Sequence, residues 1–328
     1  MAGGGRPGGR HVRRSSCHAC AACIGPACAA MIPFSGDPTY NVPFTSRRGP
    51  DGGATMTEQF HRPATVREAV GLKRRYQARA AYLAGGTWLN STESGGPPQH
   101  VISLAGLGLE RVETKATRVE IGALCRLQRL LGDRRVPAPL RAALAQVVSR
   151  NLREIATLGG HLGARYPHSD VMPMLLALEV VLELAGPGRA RRVRLEEYLG
   201  TKPAGLVTKV LVPKPKAGRV AACRAFRVSG NARSMVSAAV AVSVERGVLK
   251  RPVIALGGVA RTALRLVRVE QALAGKPLPP LDELQALVSR AVRVGDSLDG
   301  SAAFRRYEAG AVVALTLRDA LERKGAAR

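Results

Sequence analysis

The sequence is poor in aromatic residues, in acidic residues and in long apolar runs. Of its 328 residues, 4% are aromatic and 24 are Asp or Glu, against 50 Lys or Arg, so the formal net charge is +26. Arg, Glu or Gly interrupts every apolar run before the roughly 20 residues that a membrane-spanning helix needs, which argues against a membrane span. The hydrophobic fraction of 46% excludes a chain that is disordered throughout, so at least part of it folds around a core.

The scarcity of aromatic rings also makes nucleic-acid binding an unfavoured main role. Proteins that bind nucleic acid concentrate basic side chains on one patch and add rings for stacking or a helix for a groove. Here the Arg residues are spread along the whole chain, which is also rich in Ala and Gly. A basic nucleic-acid-binding or scaffold protein therefore stays the weaker alternative, beside the simpler interpretation of a solvated basic surface.

Residues 1–55 differ from the rest of the chain in their pattern of apolar residues, because they contain no periodicity long enough for a helix or a strand. We interpret them as a disordered or spurious N-terminal extension, with translation starting at Met56. The alternative is an iron–sulphur cluster held by four thiolates spaced C-x2-C-x2-C-x4-C. Its ligands would be Cys17, Cys20, Cys23 and Cys28.

The two remaining cysteines, Cys125 and Cys223, are isolated in the sequence. Isolated cysteines in apolar or basic surroundings are typical of free thiols in a reducing compartment. We therefore expect a cytoplasmic protein without disulfides.

Two glycine pairs, each in a segment that also contains apolar residues, are the most informative parts of the sequence. The first loop is Leu83-Ala84-Gly85-Gly86-Thr87-Trp88, and the second is Thr157-Leu158-Gly159-Gly160-His161. Glycine adopts positive φ and has no Cβ, so consecutive backbone N–H groups can turn toward one anion. One such loop is typical of a tight turn, but two together predict a pyrophosphate held from both sides by backbone amides.

Asp170 follows the second loop and precedes Pro173 and an apolar stretch. Asp before a Pro in the first helical turn predicts a helix N-cap. The same carboxylate could accept hydrogen bonds from the hydroxyls of a ribose or ribityl chain. The two roles are compatible, because a helix that starts beside a nucleotide can serve both.

The order of these segments resembles the FAD-binding medium subunit of molybdenum hydroxylases, the family of xanthine dehydrogenase and carbon monoxide dehydrogenase flavoproteins. The resemblance extends from about Phe60 to the C-terminus and does not include the N-terminal extension, residues 1–55. It is carried by both glycine loops and Ser169-Asp170, and also by Val119-Glu120-Ile121-Gly122-Ala123 and Gly300-Ser301-Ala302-Ala303-Phe304-Arg305-Arg306.

The resemblance implies an α+β fold with two domains. Residues 56–217 would form a two-lobed FAD-binding domain of the vanillyl-alcohol oxidase and UDP-acetylenolpyruvoylglucosamine reductase type. Residues 218–328 would form a C-terminal domain with a three-stranded antiparallel sheet and helices. The Pro and Lys cluster at residues 212–218 agrees with a boundary there.

Local patterns within the C-terminal domain agree with the resemblance. Strand-forming segments on both sides of Glu245-Arg246-Gly247 predict a hairpin. The last helix has two apolar stripes, so we expect it to be packed on two sides. One stripe is Phe304, Tyr307, Ala311 and Leu315, and the other is Val313, Leu317 and Leu321.

The resemblance also implies FAD as the cofactor and indicates the residues that would bind it. Leu83 to Trp88 would form the first FAD loop, Thr157 to His161 the second, and Asp170 would occupy the family's Asp position. Family members commonly carry Asn where His161 stands and an acidic or other polar residue where Trp88 stands. Arg227 resembles a Lys position near the flavin, and a surface cation is the alternative for it.

The implied partners are a molybdopterin-containing large subunit and an iron–sulphur small subunit, with NAD or another molecule as electron acceptor. A flavin can take electrons singly and pass them on as a pair, so few catalytic side chains are expected in this chain. A self-sufficient flavin oxidoreductase is the alternative enzyme, and it would need a catalytic Tyr, His or Ser over the ring. No cluster of such residues is evident in the sequence.

Overall fold

The computed structural model describes residues 47–48, 54–55, 57–147, 149–201, 203–297 and 299–326, which belong to one compact unit. The four possible cluster ligands of the N-terminal extension lie outside these residues. They are Cys17, Cys20, Cys23 and Cys28. Among the described helices, none combines the length and the apolar character that crossing a bilayer requires. Cys125 is a buried thiol that forms no disulfide within the described residues.

The first lobe is a parallel sheet with one covering helix. A short antiparallel pair, β1 (Arg47–Arg48) and β2 (Ala54–Thr55), precedes it. Strands β3 (Gln59–His61), β4 (Ala80–Leu83) and β5 (His100–Ser103) lie in the order β3-β5-β4, and helix α1 (Val66–Tyr76) connects β3 to β4. Ala69 and Val70 of α1 are buried. Because β4 is an edge strand, its free edge and the loop after it are open to a ligand.

The second lobe is an antiparallel five-stranded sheet in the order β6-β7-β10-β8-β9, with six helices packed around it. One buried core joins the sheet to the helices. The strands are β6 (Val112–Thr114), β7 (Arg118–Gly122), β8 (Val181–Ala185), β9 (Arg191–Arg194) and β10 (Leu206–Pro213). The helices are α2 (Leu127–Gly132), α3 (Ala138–Gln146), α4 (Arg150–Ile155), α5 (Leu158–Ala164), α6 (Met172–Ala177) and α7 (Leu195–Thr201).

The C-terminal part is a four-stranded antiparallel sheet with three helices. Its strands lie in chain order: β11 (Arg219–Phe226), β12 (Val236–Glu245), β13 (Val248–Gly257) and β14 (Leu264–Arg265). The helices are α8 (Val267–Leu273), α9 (Leu281–Ala291) and α10 (Ala302–Ala326). The sheet therefore has one strand more than the three that were expected. Strand β14 was missed because it pairs at only two positions and is too short to produce an alternating pattern.

The predicted hairpin is confirmed between β12 and β13. Arg246 (φ 50°) and Gly247 (φ 80°) both lie in the left-handed region. Two consecutive positive φ angles are typical of the type I′ turn, whose twist matches that of the two strands it joins.

Helix α10 packs on two sides, as predicted, against α9 and against the β11–β12 face of the sheet. Val313 and Leu317 of the second predicted stripe are fully buried. The first predicted stripe was wrong at its start, since Phe304 is 41% exposed and Tyr307 is 58% exposed. They lie in the first two turns of the helix, where their side chains reach the surface.

Candidate functional site

Both glycine loops line a single cavity of about 340 Å³. The pyrophosphate hypothesis requires such a shared cavity. The first loop contributes Ala84, Gly85, Gly86, Thr87 and Trp88, and the second contributes Thr157, Gly159 and Gly160. The cavity extends along β4, where Ala80, Ala81 and Tyr82 also line it. The sequence therefore identified the middle of the cavity, and the fold extends it along the free edge of the first sheet.

The first loop has backbone donors that remain available for a ligand. Within the described ranges, the N–H groups of Gly85, Gly86 and Thr87 make no hydrogen bond. Gly86 has a φ of +72°, a backbone conformation that residues with a side chain rarely adopt. A Cβ on Gly85 would overlap the carbonyl oxygen of Ile155, so this glycine permits close backbone packing. The loop has the properties of an anion cradle.

The second loop differs, because its backbone donors are already engaged. Gly159 N–H donates to the carbonyl oxygen of Ala123 over 2.7 Å, and Gly160 N–H donates to Thr157 Oγ1 over 3.1 Å. Thr157 is the N-cap of α5. The expectation that amides of both loops are free to hold one anion is therefore wrong for this loop. Its glycines serve close packing instead, since a Cβ on Gly159 would lie 2.5 Å from the Cβ of Ala123.

Two titratable residues of the cavity wall were not predicted. Lys73 Nζ donates to the carbonyl oxygens of Gln77 over 2.7 Å and Ala80 over 2.5 Å, and burial lowers the pKa of Lys73. Burial raises the pKa of Tyr82 to about 12, so its hydroxyl stays protonated at physiological pH. In the sequence Lys73 is an ordinary basic residue in the last turn of a helix, and only the fold brings it to β4.

The cavity wall is also formed by segments that carry no sequence signal. Leu124 follows β7, Tyr198 belongs to α7, and residues 205–207 include the first two residues of β10. The guanidinium carbon of Arg165 lies 4.3 Å from the ring centroid of Tyr198. Arg165 Nη1 is buried and has no hydrogen-bond partner within the described part of the chain. A cation beside the cavity favours an anionic ligand. The other lining residues are Leu89, Leu104, Ala123, Gly163 and Ala164.

Asp170 and Arg227 form a buried ion pair outside the lining of this cavity. Arg227 Nη2 lies 2.8 Å from Asp170 Oδ2, and the same nitrogen donates to the carbonyl oxygen of Gln146 over 2.6 Å. The hydroxyl of Ser234 donates to Asp170 Oδ1. Burial raises the pKa of Asp170, and the hydrogen bond from Ser234 and the charge of Arg227 oppose that shift. The partners Gln146 and Ser234 lie far from Asp170 in sequence, so local patterns could not identify them.

The expected N-cap role of Asp170 is wrong, because Val171 is the N-cap residue of α6 and the amides at the start of the helix donate to the hydroxyl of Ser169. Ser169 Oγ accepts hydrogen bonds from the N–H groups of Val171 over 3.2 Å and Met172 over 2.9 Å. Met172 is the first residue of α6. The carboxylate of Asp170 is thereby left for its ion pair with Arg227.

His161 connects the second glycine loop to Ser169. His161 Nε2 lies 2.6 Å from Ser169 Oγ. Burial lowers the pKa of His161 to about 4, so the imidazole is neutral at physiological pH. Because Ser169 Oγ already accepts two backbone hydrogen bonds, its proton is donated to Nε2.

Three residues of the predicted loops do not line the cavity. Leu158 is completely buried in the core of the second lobe, and Leu83 and His161 are likewise absent from the cavity lining. In the described residues, no three His, Cys, Asp or Glu side chains come together as a metal site would need.

A cavity lined by two glycine loops, between a parallel and an antiparallel lobe, is the architecture of a protein that binds a phosphate-containing cofactor. The family described as the FAD binding domain in molybdopterin dehydrogenase matches residues 55–215. The family described as the CO dehydrogenase flavoprotein C-terminal domain matches residues 221–320.

Individual proteins agree with these two matches. The protein YgfM of Escherichia coli K12 is 39% identical over 260 residues, which cover 79% of this chain and 95% of YgfM. The carbon monoxide dehydrogenase medium chain of Afipia carboxidovorans is 28% identical over 278 residues, which cover 80% of this chain and 95% of that protein. The structure of carbon monoxide dehydrogenase from Hydrogenophaga pseudoflava superposes with a TM-score of 0.76 at 26% identity, covering 81% of this chain and 98% of that chain.

The chain belongs to the family of FAD-binding medium subunits of molybdenum hydroxylases. It is an FAD-dependent oxidoreductase subunit with a mixed α and β structure, in which an FAD-binding domain precedes a C-terminal flavoprotein domain.

Proposed function

We propose that this chain relays electrons within a molybdenum hydroxylase complex, taking them from an iron–sulphur subunit and passing them to NAD or another acceptor. The observation that carries the proposal is the cavity shared by the two glycine loops, at which the N–H groups of Gly85, Gly86 and Thr87 have no partner in the described ranges. Unpaired backbone donors in a concave site are suited to phosphate oxygens.

The residues present fit FAD, and we assign them as follows. The amides of Gly85 and Gly86 and the hydroxyl of Thr87 would bind the pyrophosphate. Gly160 keeps the second loop close to it, because a Cβ at Gly160 would lie 2.8 Å from Thr157 Oγ1 and 3.4 Å from the Cβ of Ala84. The lysine at position 73 adds positive charge to the same wall.

We further assign Asp170 and Arg227 to the flavin end of the cofactor. Asp170 holds its carboxylate between Ser234 and Arg227, and each carboxylate oxygen can accept a further hydrogen bond from a ribityl hydroxyl. Arg227 Nε is buried without a hydrogen-bond partner in the described residues, which makes it a candidate donor to the flavin. The flavin supplies the redox chemistry when bound, so these side chains need only bind and orient it.

The domain division and the partners belong to the same proposal. We assign residues 56–217 to a two-lobed FAD-binding domain of the vanillyl-alcohol oxidase type and residues 218–328 to the C-terminal domain. The Afipia relative is a medium chain by name, which supports an assembly of subunits of different size. We assign the other two as a molybdopterin-containing large subunit and an iron–sulphur small subunit.

Cofactor reconstitution tests the binding half of this proposal. Full-length protein incubated with excess FAD and then gel-filtered should retain one flavin per chain. A Gly160→Val variant should retain much less, whereas Gly71→Ala should match the wild type, since a Cβ at Gly71 meets nothing within 4 Å. Wild-type protein that retains no flavin would overturn the proposal.

Coexpression with the two partner subunits tests the relay. We expect reduction of NAD or an artificial acceptor only when all three subunits are present and the flavin is bound. Omitting this chain should leave oxidation of the substrate by the molybdenum subunit measurable with an electron-accepting dye. Turnover of a small substrate by the flavin-loaded chain alone would instead favour the self-sufficient oxidoreductase.

A further inference from the structure

The residues that line the cavity continue from the first glycine loop in two directions along the chain, and we call these two parts of the lining its arms. One arm follows β4 backward from Leu83 to Ala80, about 10 Å at roughly 3.3 Å per residue, and reaches Lys73. The other arm begins directly after Gly86, where Trp88 lines the cavity. The pyrophosphate of FAD lies between two ring systems, so each arm would take one of them.

A row of three rings leads away from the second arm. The ring centroids of Trp88 and Tyr166 are 5.4 Å apart, and those of Tyr166 and His168 are 5.6 Å apart. These separations are typical of favourable aromatic pairs. His168 Nδ1 lies 2.9 Å from the carbonyl oxygen of Ser234, which fixes the far end of the row to the C-terminal part. The Trp88 ring is therefore held by packed neighbours as well as by its own loop.

The first arm has no comparable row. Tyr82 lines it, and within the described residues Tyr82 pairs with no other ring. The second arm, by contrast, leads through Tyr166 into the segment that contains Asp170. Asp170 holds Arg227, whose Nε is buried and without a partner in the described part of the chain. A flavin ring has two flat faces, so the second arm offers it a wall on which to pack, and this wall leads toward the ion pair of Asp170 with Arg227.

We propose that Trp88, held in place by Tyr166, is the wall on which the isoalloxazine ring of FAD packs, which makes Trp88 a positioning residue of this site. The inference rests on the proposed function and adds which arm of the cavity receives the flavin. It also predicts a spectroscopic property, because an indole ring in contact with a flavin quenches the flavin's fluorescence. Wild-type protein should therefore hold FAD in a weakly fluorescent form.

The test compares three probes on Trp88→Ala, Trp88→Phe and the control Tyr307→Ala, which changes an exposed ring of α10. The probes are FAD, FMN, which lacks the adenosine half, and ADP, which lacks the flavin half. Trp88→Ala should weaken both FAD and FMN by about tenfold, the factor that one aromatic stacking contact contributes, and leave ADP unchanged. Fluorescence of the bound flavin should rise several-fold in Trp88→Ala and less in Trp88→Phe, and should stay low in the control.

The outcomes separate this inference from the function on which it rests. Weaker ADP binding with unchanged FMN binding and flavin fluorescence would show that adenine packs on Trp88, and would overturn the inference. Unchanged binding of all three probes with unchanged fluorescence would also overturn it while leaving FAD binding intact. Wild-type protein that binds no FAD would overturn both. Trp88→Phe guards against misfolding, because it keeps a ring at this position, and circular dichroism should be equal for all variants.

Discussion

The backbone of Gly85 packs so closely on Ile155 that a Cβ at position 85 would overlap the carbonyl oxygen of Ile155. Ile155 ends α4, and the second glycine loop begins at Thr157. The two loops are thus joined by direct backbone packing between the first lobe and the second. The requirement for glycine at position 85 comes from this contact, whereas the requirement at Gly86 comes from its φ of +72°.

Replacing Gly85 with Ala should separate the two loops and distort the cavity between them. We expect the free energy of unfolding to fall by about 1–3 kcal/mol, the usual cost of overpacking, and FAD to bind more weakly. Gly71→Ala is the matched control in α1, where the same change should stabilise the protein by about 0.5–1 kcal/mol. Urea unfolding and FAD titration of both variants measure the difference, and equal behaviour would contradict the packing.

The ion pair between Arg227 and Asp170 predicts that one substitution lowers stability and that a second substitution restores it. Arg227→Met leaves a buried carboxylate without its cation, which should lower the free energy of unfolding by about 3–5 kcal/mol. The double variant Arg227→Met with Asp170→Asn should regain most of this loss, because no uncompensated charge remains. Chemical denaturation at pH 7 measures both, and a double variant no more stable than Arg227→Met would contradict the pairing.

The same ion pair predicts how the Arg227→Met variant depends on pH. Burial already raises the pKa of Asp170, and removal of Arg227 takes away one of the groups that opposes the shift. A carboxyl whose folded-state pKa lies above its unfolded-state pKa binds protons more tightly when folded. Stability of the variant should therefore decrease as the pH rises through the folded-state pKa. The wild type measured in parallel should show a weaker decrease over the same range.

His161 predicts a pH dependence of the opposite sign. Its folded-state pKa is about 4 against an ordinary value of 6.5, so the unfolded chain binds a proton more readily between these values. The contribution to stability is complete above pH 6.5 and is lost as the pH falls toward 4. Between pH 7.5 and pH 5 the loss should be about 2 kcal/mol. His161→Asn should remove that part of the pH dependence, and an unchanged profile would contradict burial of a neutral imidazole.

The features that the sequence predicted are those determined by neighbouring residues. The β12–β13 hairpin follows from Arg246-Gly247 between two strand-forming segments. The first glycine loop likewise follows from local chemistry, since its amides make no hydrogen bonds in the described ranges.

The features that were missed depend on contacts between distant segments. The amides of Gly159 are engaged because the fold brings Ala123 to them, and Lys73 reaches the cavity because α1 packs beside β4. The two hydrogen bonds that Ser169 Oγ accepts at the start of α6 were also missed. The ion pair of Asp170 with Arg227 removes the neighbouring carboxylate from that role, and a single sequence does not show which distant cation is its partner.

Ser169 supplies the last prediction, because one hydroxyl serves both α6 and His161. Ser169→Ala should cost about 1–2 kcal/mol for the lost hydrogen bonds to the amides of Val171 and Met172, and about 1–3 kcal/mol for the unpaired imidazole nitrogen. In the His161→Asn background only the first part should remain, so the two substitutions should be non-additive. A double-mutant cycle from urea unfolding at pH 7.5 measures the coupling. Additive effects would mean that the hydroxyl bonds to the start of α6 without contributing a hydrogen bond to His161.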